Sequence, residues 1–387
     1  MSLADGARRR RKFLTIRFCV AMAVVLAAGA AVGLAFQGLG GGFAVRVLSA
    51  GGVLRGAAAV AVGGSDVWVV KDPGNGGGSV AELSAGDGSV IRTLSGGRYG
   101  VHYPAAVAVS GGRVWVANDP QTGDGRTSKP GDGTVTELNA GDGSWVRTVS
   151  GLKYGFDFPS AVAVSGGHVW VANYWGGSVT ELNASDGSWV RTLSGGRYGF
   201  IQPSAITVAG SHIWVANAGG AADNGGGSVT ELNAGDGSWV QTLSSARYGF
   251  NDPSAIAAVG GHIWVANLYG NSVTELNAGD GGWVQTLSGG CYNFDSPAGI
   301  AVDGAHVWIT SSNIDETGGS VTELNASDGS WIRTLSSDGW AQTLRHGCVL
   351  DILTHGSYRF LNPSPIAAAG SSIWVFDVNG VTVLTAR

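Results

Sequence analysis

The chain has 387 residues, 66 of them glycine, and a formal net charge of −5. That length accommodates one large repeat domain or two ordinary ones. Residues 1–36 carry six Lys/Arg and one Asp, which leaves −10 on residues 37–387. An acidic body without a basic stripe excludes nucleic acid as an expected partner.

In chain order the first feature is Arg8-Arg9-Arg10-Arg11-Lys12, followed by an apolar run from Phe18 to Phe36. A short basic region ahead of an apolar stretch reads as a secretion signal or an N-terminal membrane anchor. Lys and Arg stay on the cytoplasmic side of a membrane, so the body is expected outside the cytoplasm, secreted or anchored. Arg10-Arg11-Lys12-Phe13-Leu14 resembles the core of twin-arginine export signals. Residues 1–36 are thus assigned to a signal or anchor, with 18–36 as the one expected membrane contact. Residues 37–42 form a Gly-rich linker, and 43–387 form the body.

From residue 43 onward the chain repeats itself. The Trp of a Val/Ile-Trp-Val/Ile strand recurs at Trp68, Trp115, Trp170, Trp214, Trp264, Trp308 and Trp374, at intervals of 47, 55, 44, 50, 44 and 66 residues. A period of this size with several short strands per unit is the signature of propeller blades. In the third unit the predicted strands are a (Ala161–Val164), b (Val169–Ala172), c (Ser178–Leu182) and d (Trp189–Leu193). Gly, Asn, Asp and Ser fill the gaps between them, as turns between strands require. The reading is all-β: a seven-bladed β-propeller of four-stranded antiparallel blades.

The two chain ends predict how the ring closes. The last unit supplies Val381-Thr-Val-Leu-Thr-Ala-Arg387 as strand c and stops there. The first unit is preceded by Phe43-Ala-Val-Arg-Val-Leu-Ser49, which matches Trp189-Val-Arg-Thr-Leu-Ser194 when Arg46 is laid on Arg191. Strand 43–49 is therefore expected to complete the C-terminal blade. A ring closed in this way has no open ends to pair, and a monomer is expected.

Turn lengths are unevenly conserved among the units. The a–b and c–d turns keep constant length, and every insertion falls in a b–c loop or a d–a connection, the largest between Ser336 and Ser357. In an antiparallel blade those two connections emerge at the same end. One rim of the disc is then variable and the other constant, and variable loops on a rigid scaffold are where binding resides.

Candidate site residues follow from that division. The aromatics Tyr174, Trp175, Tyr269 and Trp340 fall on the variable rim. Asn118, Asn173, Asn217 and Asn267 end strand b and are expected near the axis, where a ring of amides would hold a polar ligand. Seven strand b tryptophans and the five that open strand d (Trp145, Trp189, Trp239, Trp283, Trp331) read as packing residues. The strand c glutamates and the Asp-Gly turns read as repeated structural pairs. His168, His212, His262 and His306 occupy one turn on the constant rim, one per blade, and are not expected to converge on a metal. No metal site or cofactor is expected, and Asp315 with Glu316 is the one carboxylate pair outside the repeat that merits a metal test. The d–a signature Lys/Arg-Tyr-Gly-Phe-x-x-Pro should wedge its aromatics between blades. Cys291 and Cys348 lie in successive d–a connections and form the disulfide candidate of an exported chain.

The pattern Pro-x-x-Ile/Val-x-Val, Val-Trp-Val-Ala-Asn, Ser-Val-Thr-Glu-Leu-Asn, Asp-Gly, Val-x-Thr-Leu resembles the YVTN/NHL class of propellers, frequent in surface-layer and secreted bacterial proteins. That class includes streptogramin lyases, so the resemblance also implies an alternative: a metal-dependent lyase or hydrolase using a divalent ion and a catalytic His in the axial funnel. The expected function is non-catalytic binding of a protein, glycan or small ligand through the variable rim. A structural role in the cell envelope is the third reading.

Overall fold

The structure, a computed structural model, describes residues 43–48, 54–73, 77–119, 131–219, 226–312, 318–336, 351–352, 360–378 and 380–386. Seven antiparallel sheets stand in a ring, each with strands in the order a-b-c-d. Blade 3 is representative, with strands Pro159–Ser165, His168–Asn173, Ser178–Asn183 and Trp189–Ser194. Strand a of each blade packs against strand a of the next, and blade 7 packs against blade 1, so strand a lines the axis.

The ring closes as the two ends predict. Phe43–Leu48 pairs antiparallel with Gly380–Ala386 as the outer strand of blade 7. Arg46 faces Val383, just as Arg191 faces Glu181 in blade 3, so the register inferred from the arginines holds. Blade 6 departs from the plan. Asp351–Ile352, from the largest insertion, adds a fifth strand parallel to Trp331–Ser336. No helix of the described residues is long and apolar enough to cross a membrane; residues 18–36 lie outside them.

Period-2 strands of Val, Ile, Ala and Trp that are apolar on both faces need cover on both faces. The ring provides it, because the core is divided into seven clusters, one between each pair of neighbouring blades. Trp115 of blade 2, for example, packs with Phe156, Val169, Val171 and Leu182 of blade 3. The cluster of Leu54, Val67, Val69, Trp374, Phe376 and Val383 seals blade 7 to blade 1. All seven strand b tryptophans are at most 1% exposed.

Trp331 of strand d packs, half-buried, against the core between blades 5 and 6, and Trp239 is half-buried, but the other three strand d tryptophans depart from the packing role their period suggests. Trp145 is 47% exposed, Trp189 37% and Trp283 38%. In their three blades strand d is the outer edge, and no further strand covers it. Each ring lies back along its own strand, with the indole N–H donating to the Thr hydroxyl three residues on, as Trp189 Nε1 to Thr192 Oγ1 at 3.0 Å. In three blades a Lys or Arg from the d–a connection approaches the ring, as Arg197 does over Trp239 at 5.4 Å.

Polar links add direction to the packing. The strand c Glu receives the strand d Arg of its own blade, Arg147 Nε to Glu137 Oε2 at 2.8 Å. The same arginine then reaches the next blade's c–d turn, Arg147 Nη2 donating to Ser185 O at 3.4 Å. Gln241 makes both contacts in blade 4, to Glu231 Oε2 at 2.6 Å and to Asp280 O at 2.9 Å. The Asp-Gly turns work as expected: each Asp Oδ1 accepts from the amide two residues on, as Asp186 does from Ser188 at 2.9 Å.

Candidate functional site

Placing strand a innermost leaves a funnel of about 810 Å³ on the axis. It is lined by the first half of strand a from every blade, including Ala58, Ala105, Ser160, Ser204, Ser254, Ala298 and Ser364. The first half of strand a lies at the rim where strand b ends, which is the rim of the long loops. Cavity and variable loops therefore share one side of the disc.

In blades 1 to 6 strand a begins with a bulge, as where Pro159 faces Asn173 and Ala161 faces Ala172, so that Ser160 is extra. The bulge turns the serine toward the next blade, where Ser160 Oγ donates to Pro203 O at 2.7 Å, Ser204 to Pro253 O at 2.6 Å and Ser254 to Pro297 O at 2.8 Å. These hydroxyls tie the inner ring together while lining the funnel.

The funnel wall is chemically two-sided. Blades 7, 1 and 2 contribute the charges Asp377, Arg55, Lys71, Asp72 and Asp119, whereas blades 3 to 6 contribute Phe158, Ile206, Ile256, Leu268, Ile300 and small residues. Burial, and then the nearby Arg55 charge, lowers the pKa of Lys71. Asp377 accepts from two backbone amides, Leu361 N at 3.3 Å and Gly380 N at 2.9 Å. Asp119 and Asp377 are 3% and 8% exposed, while Arg55 is exposed.

The mouth has an unusual backbone. The residue immediately before each repeated proline, at or near the start of strand a, holds a left-handed φ: Tyr103 (47°), Phe158 (57°), Gln202 (54°), Asp252 (55°), Ser296 (54°) and Asn362 (49°). Gly56 holds the place in blade 1, at φ 68°. For a residue with a side chain this costs on the order of 1 kcal/mol or more. In blades 2 to 6 the carbonyl so turned accepts from the first amide beyond strand b, as Tyr103 O does from Asp119 N at 3.0 Å and Phe158 O from Tyr174 N at 2.9 Å. The d–a connection and the b–c loop are thereby clamped together at the lip.

The sequence candidates fall at different places. Tyr174 and Trp175 lie on the variable rim and form one aromatic group with Phe158, with ring centroids 5.0 Å apart for Tyr174–Trp175, 5.7 Å for Phe158–Tyr174 and 6.0 Å for Phe158–Trp175. Trp175 is 48% exposed and Phe158 lines the funnel, so the group runs from lip to cavity. Tyr269 stands half-buried two blades away.

The four asparagines belong to the blade interior. Asn118, Asn173, Asn217 and Asn267 are 0% exposed, and their amide N–H groups donate to strand c hydroxyls, as Asn173 Nδ2 to Ser178 Oγ at 3.1 Å and Thr180 Oγ1 at 3.0 Å. Side chains alternate along a strand, and at this register the amide faces the neighbouring blade, not the axis. Cys291 is disulfide-bonded. Trp340, Asp315, Glu316 and Cys348 lie outside the described residues.

The constant rim carries the repeated histidines. His168, His212 and His262 each place Nδ1 within 2.7, 2.7 and 2.6 Å of the strand c Glu of the same blade. Among the described residues no group of three metal-binding side chains forms. Sequence reasoning missed the funnel wall and the left-handed residues at its mouth. The signal for the latter was present, in the two unmatched positions ahead of each repeated Pro.

No protein-family model and no curated protein sequence matches the chain. Solved structures do. Hydrazine synthase from Kuenenia stuttgartiensis superposes with a TM-score of 0.63 at 16% identity, over 87% of this chain and 97% of that one. A streptogramin B lyase gives 0.62 at 14% identity, over 89% and 98%. A catalytically inactive virginiamycin B lyase from Staphylococcus aureus, solved with quinupristin, gives 0.62 at 13% identity, over 89% and 100%. The chain is similar to these in fold: a seven-bladed propeller.

Proposed function

We propose that the protein is a non-catalytic binding propeller that takes up a small amphipathic molecule in its axial funnel, with the b–c loops and d–a connections as the lip. One observation carries this: a cavity of about 810 Å³, open toward the variable loops, with an apolar wall facing a few charged groups. Small-ligand sites commonly span roughly 300–1,000 Å³ and combine apolar walls with few polar groups. The Phe158–Tyr174–Trp175 group extends the apolar wall to the surface.

The lyase-fold neighbours favour a second reading, a lyase or hydrolase acting in the same funnel. It ranks below the first because, among the described residues, no histidine lines the funnel. We place the body outside the cytoplasm on the strength of the basic and apolar N-terminal segment.

The test is a fluorescence titration of the full chain with 1-anilinonaphthalene-8-sulfonate. Saturable binding of about one probe per chain is expected. Ala58 is exposed in the funnel, and Ala58→Trp should abolish binding by filling it. A wild-type chain that takes up no probe, or an Ala58→Trp variant that binds as well, would overturn the funnel reading.

A further inference from the structure

We infer that the residue immediately ahead of strand a is where this ring sets ligand selectivity, and that Tyr103 and Phe158, on adjacent blades, clasp the planar apolar part of an aromatic anion whose charge is met by Arg55. This deepens the funnel reading and rests on it.

Three observations lead there. First, this position varies within an otherwise repeated frame. Strands b and c are near copies from blade to blade, yet the position before strand a holds Gly, Tyr, Phe, Gln, Asp, Ser and Asn in turn. Second, the position carries bulky side chains on a backbone that favours glycine. Glycine adopts a left-handed φ without penalty, as Gly56 does in blade 1, with nothing within 4 Å of where a Cβ would stand. If the turn served only to clamp the lip, glycine or asparagine would suffice in every blade. Bulky Tyr103 and Phe158 keep the same φ, and strain retained at a cavity mouth points to use there.

Third, the position faces the ligand space unequally. Gly56, Tyr103, Phe158 and Asn362 line the funnel, while Gln202, Asp252 and Ser296 are absent from its lining. Tyr103 and Phe158 stand on the two blades that follow the one carrying Arg55. Of the wall's charges Arg55 is exposed, Lys71 and Asp72 are half-buried, and Asp119 and Asp377 are buried, so the two cations outnumber the one accessible carboxylate. An anion with a planar body fits that arrangement better than a cation or a flexible polar chain.

The same fluorescent probe, a naphthalene sulfonate, has this chemistry. Tyr103→Gly and Phe158→Gly should each weaken its binding about five- to tenfold, the loss expected for one aromatic contact. Arg55→Ala should weaken it comparably, and the cationic dye thioflavin T should bind at least tenfold more weakly to the wild type. Ser296→Gly, at the same backbone position but outside the lining, should leave affinity unchanged. Tyr103→Gly should also keep or raise the thermal midpoint, because it relieves the left-handed strain; a ring that merely wedged blades together would lower it. Tyr103→Asn, which installs the residue blade 7 uses, serves if the glycine variant fails to fold. Wild-type affinity in Tyr103→Gly and Phe158→Gly, or an equal loss in Ser296→Gly, would overturn the selectivity ring while leaving Ala58→Trp to judge the funnel itself.

Discussion

Two tryptophans of one repeat show how little residue type alone decides. Trp214 in strand b is 0% exposed between blades, whereas Trp189 in strand d lies on the outer surface. Trp214→Ala should therefore cost about 3–5 kcal/mol, the usual range for emptying a buried aromatic site. Trp189→Ala should stay below about 1 kcal/mol, as surface changes do. Urea unfolding of the two variants distinguishes them, and equal losses would contradict the burial pattern. The sequence made both look alike, since both recur at blade period beside apolar neighbours. What separates them is the absence of any sheet beyond strand d, a property of the assembled ring. The asparagines erred in the other direction: their place at the end of strand b was legible, but the facing of the amide depended on a register that only pairing fixes.

Charged residues show a second contrast at this scale. Burial raises the pKa of Glu82, Glu137, Glu181 and Glu323 above the ordinary value of 4.5, against the pull of their arginines. The exposed turn aspartates move the other way: hydrogen bonds from the serine two residues on lower Asp142, Asp186, Asp236 and Asp328, and take Asp87 to about 2. A raised pKa means that the folded chain binds protons before the unfolded one, so stability should grow as pH falls from neutrality toward the ordinary glutamate value. Below the ordinary aspartate value of 3.8 the unfolded chain takes up protons that the folded turns refuse, Asp87 until about 2, and stability should fall. Denaturant unfolding at pH of about 7, 5 and 3 should give its largest free energy at the middle value. A steady decline from the first to the last would contradict this assignment.

Among the elements, the closing strand was the most legible and carries the clearest consequence. Phe43–Leu48 covers Gly380–Ala386, which without it would present an open edge of six paired positions. Removing residues 43–48 should lower the thermal midpoint and produce dimers or larger species through that edge, measurable by light scattering after size exclusion. A variant that stays monomeric with an unchanged midpoint would show that the strand is dispensable. The extra strand Asp351–Ile352 was not legible, because two residues carry no period. Cys291 is disulfide-bonded, and Cys348 is the other cysteine that the repeat assigns to a d–a connection. Peptide mapping without reductant should recover the two linked, and recovery of Cys291 linked elsewhere would refute the pairing.

For the molecule as a whole, ring, blade count and loop asymmetry were all readable from spacing. Constant a–b and c–d turns against variable b–c and d–a connections told which rim would differ. The funnel itself was not readable. Its wall is made of Ala, Ser and Ile that look like any strand residues until seven first strands are arranged about one axis. The left-handed mouth residues were hidden for a related reason: a backbone angle leaves no mark on composition, only on which positions refuse to repeat.

The pairing of Phe43 with Ala386 fixes one more relation. Strand c runs from the long-loop rim to the short-turn rim, so Phe43 begins at the short-turn rim, on the perimeter. The described chain thus starts across the disc from the funnel mouth. A bulky label coupled at residue 43 would sit on the opposite face and leave the entrance clear.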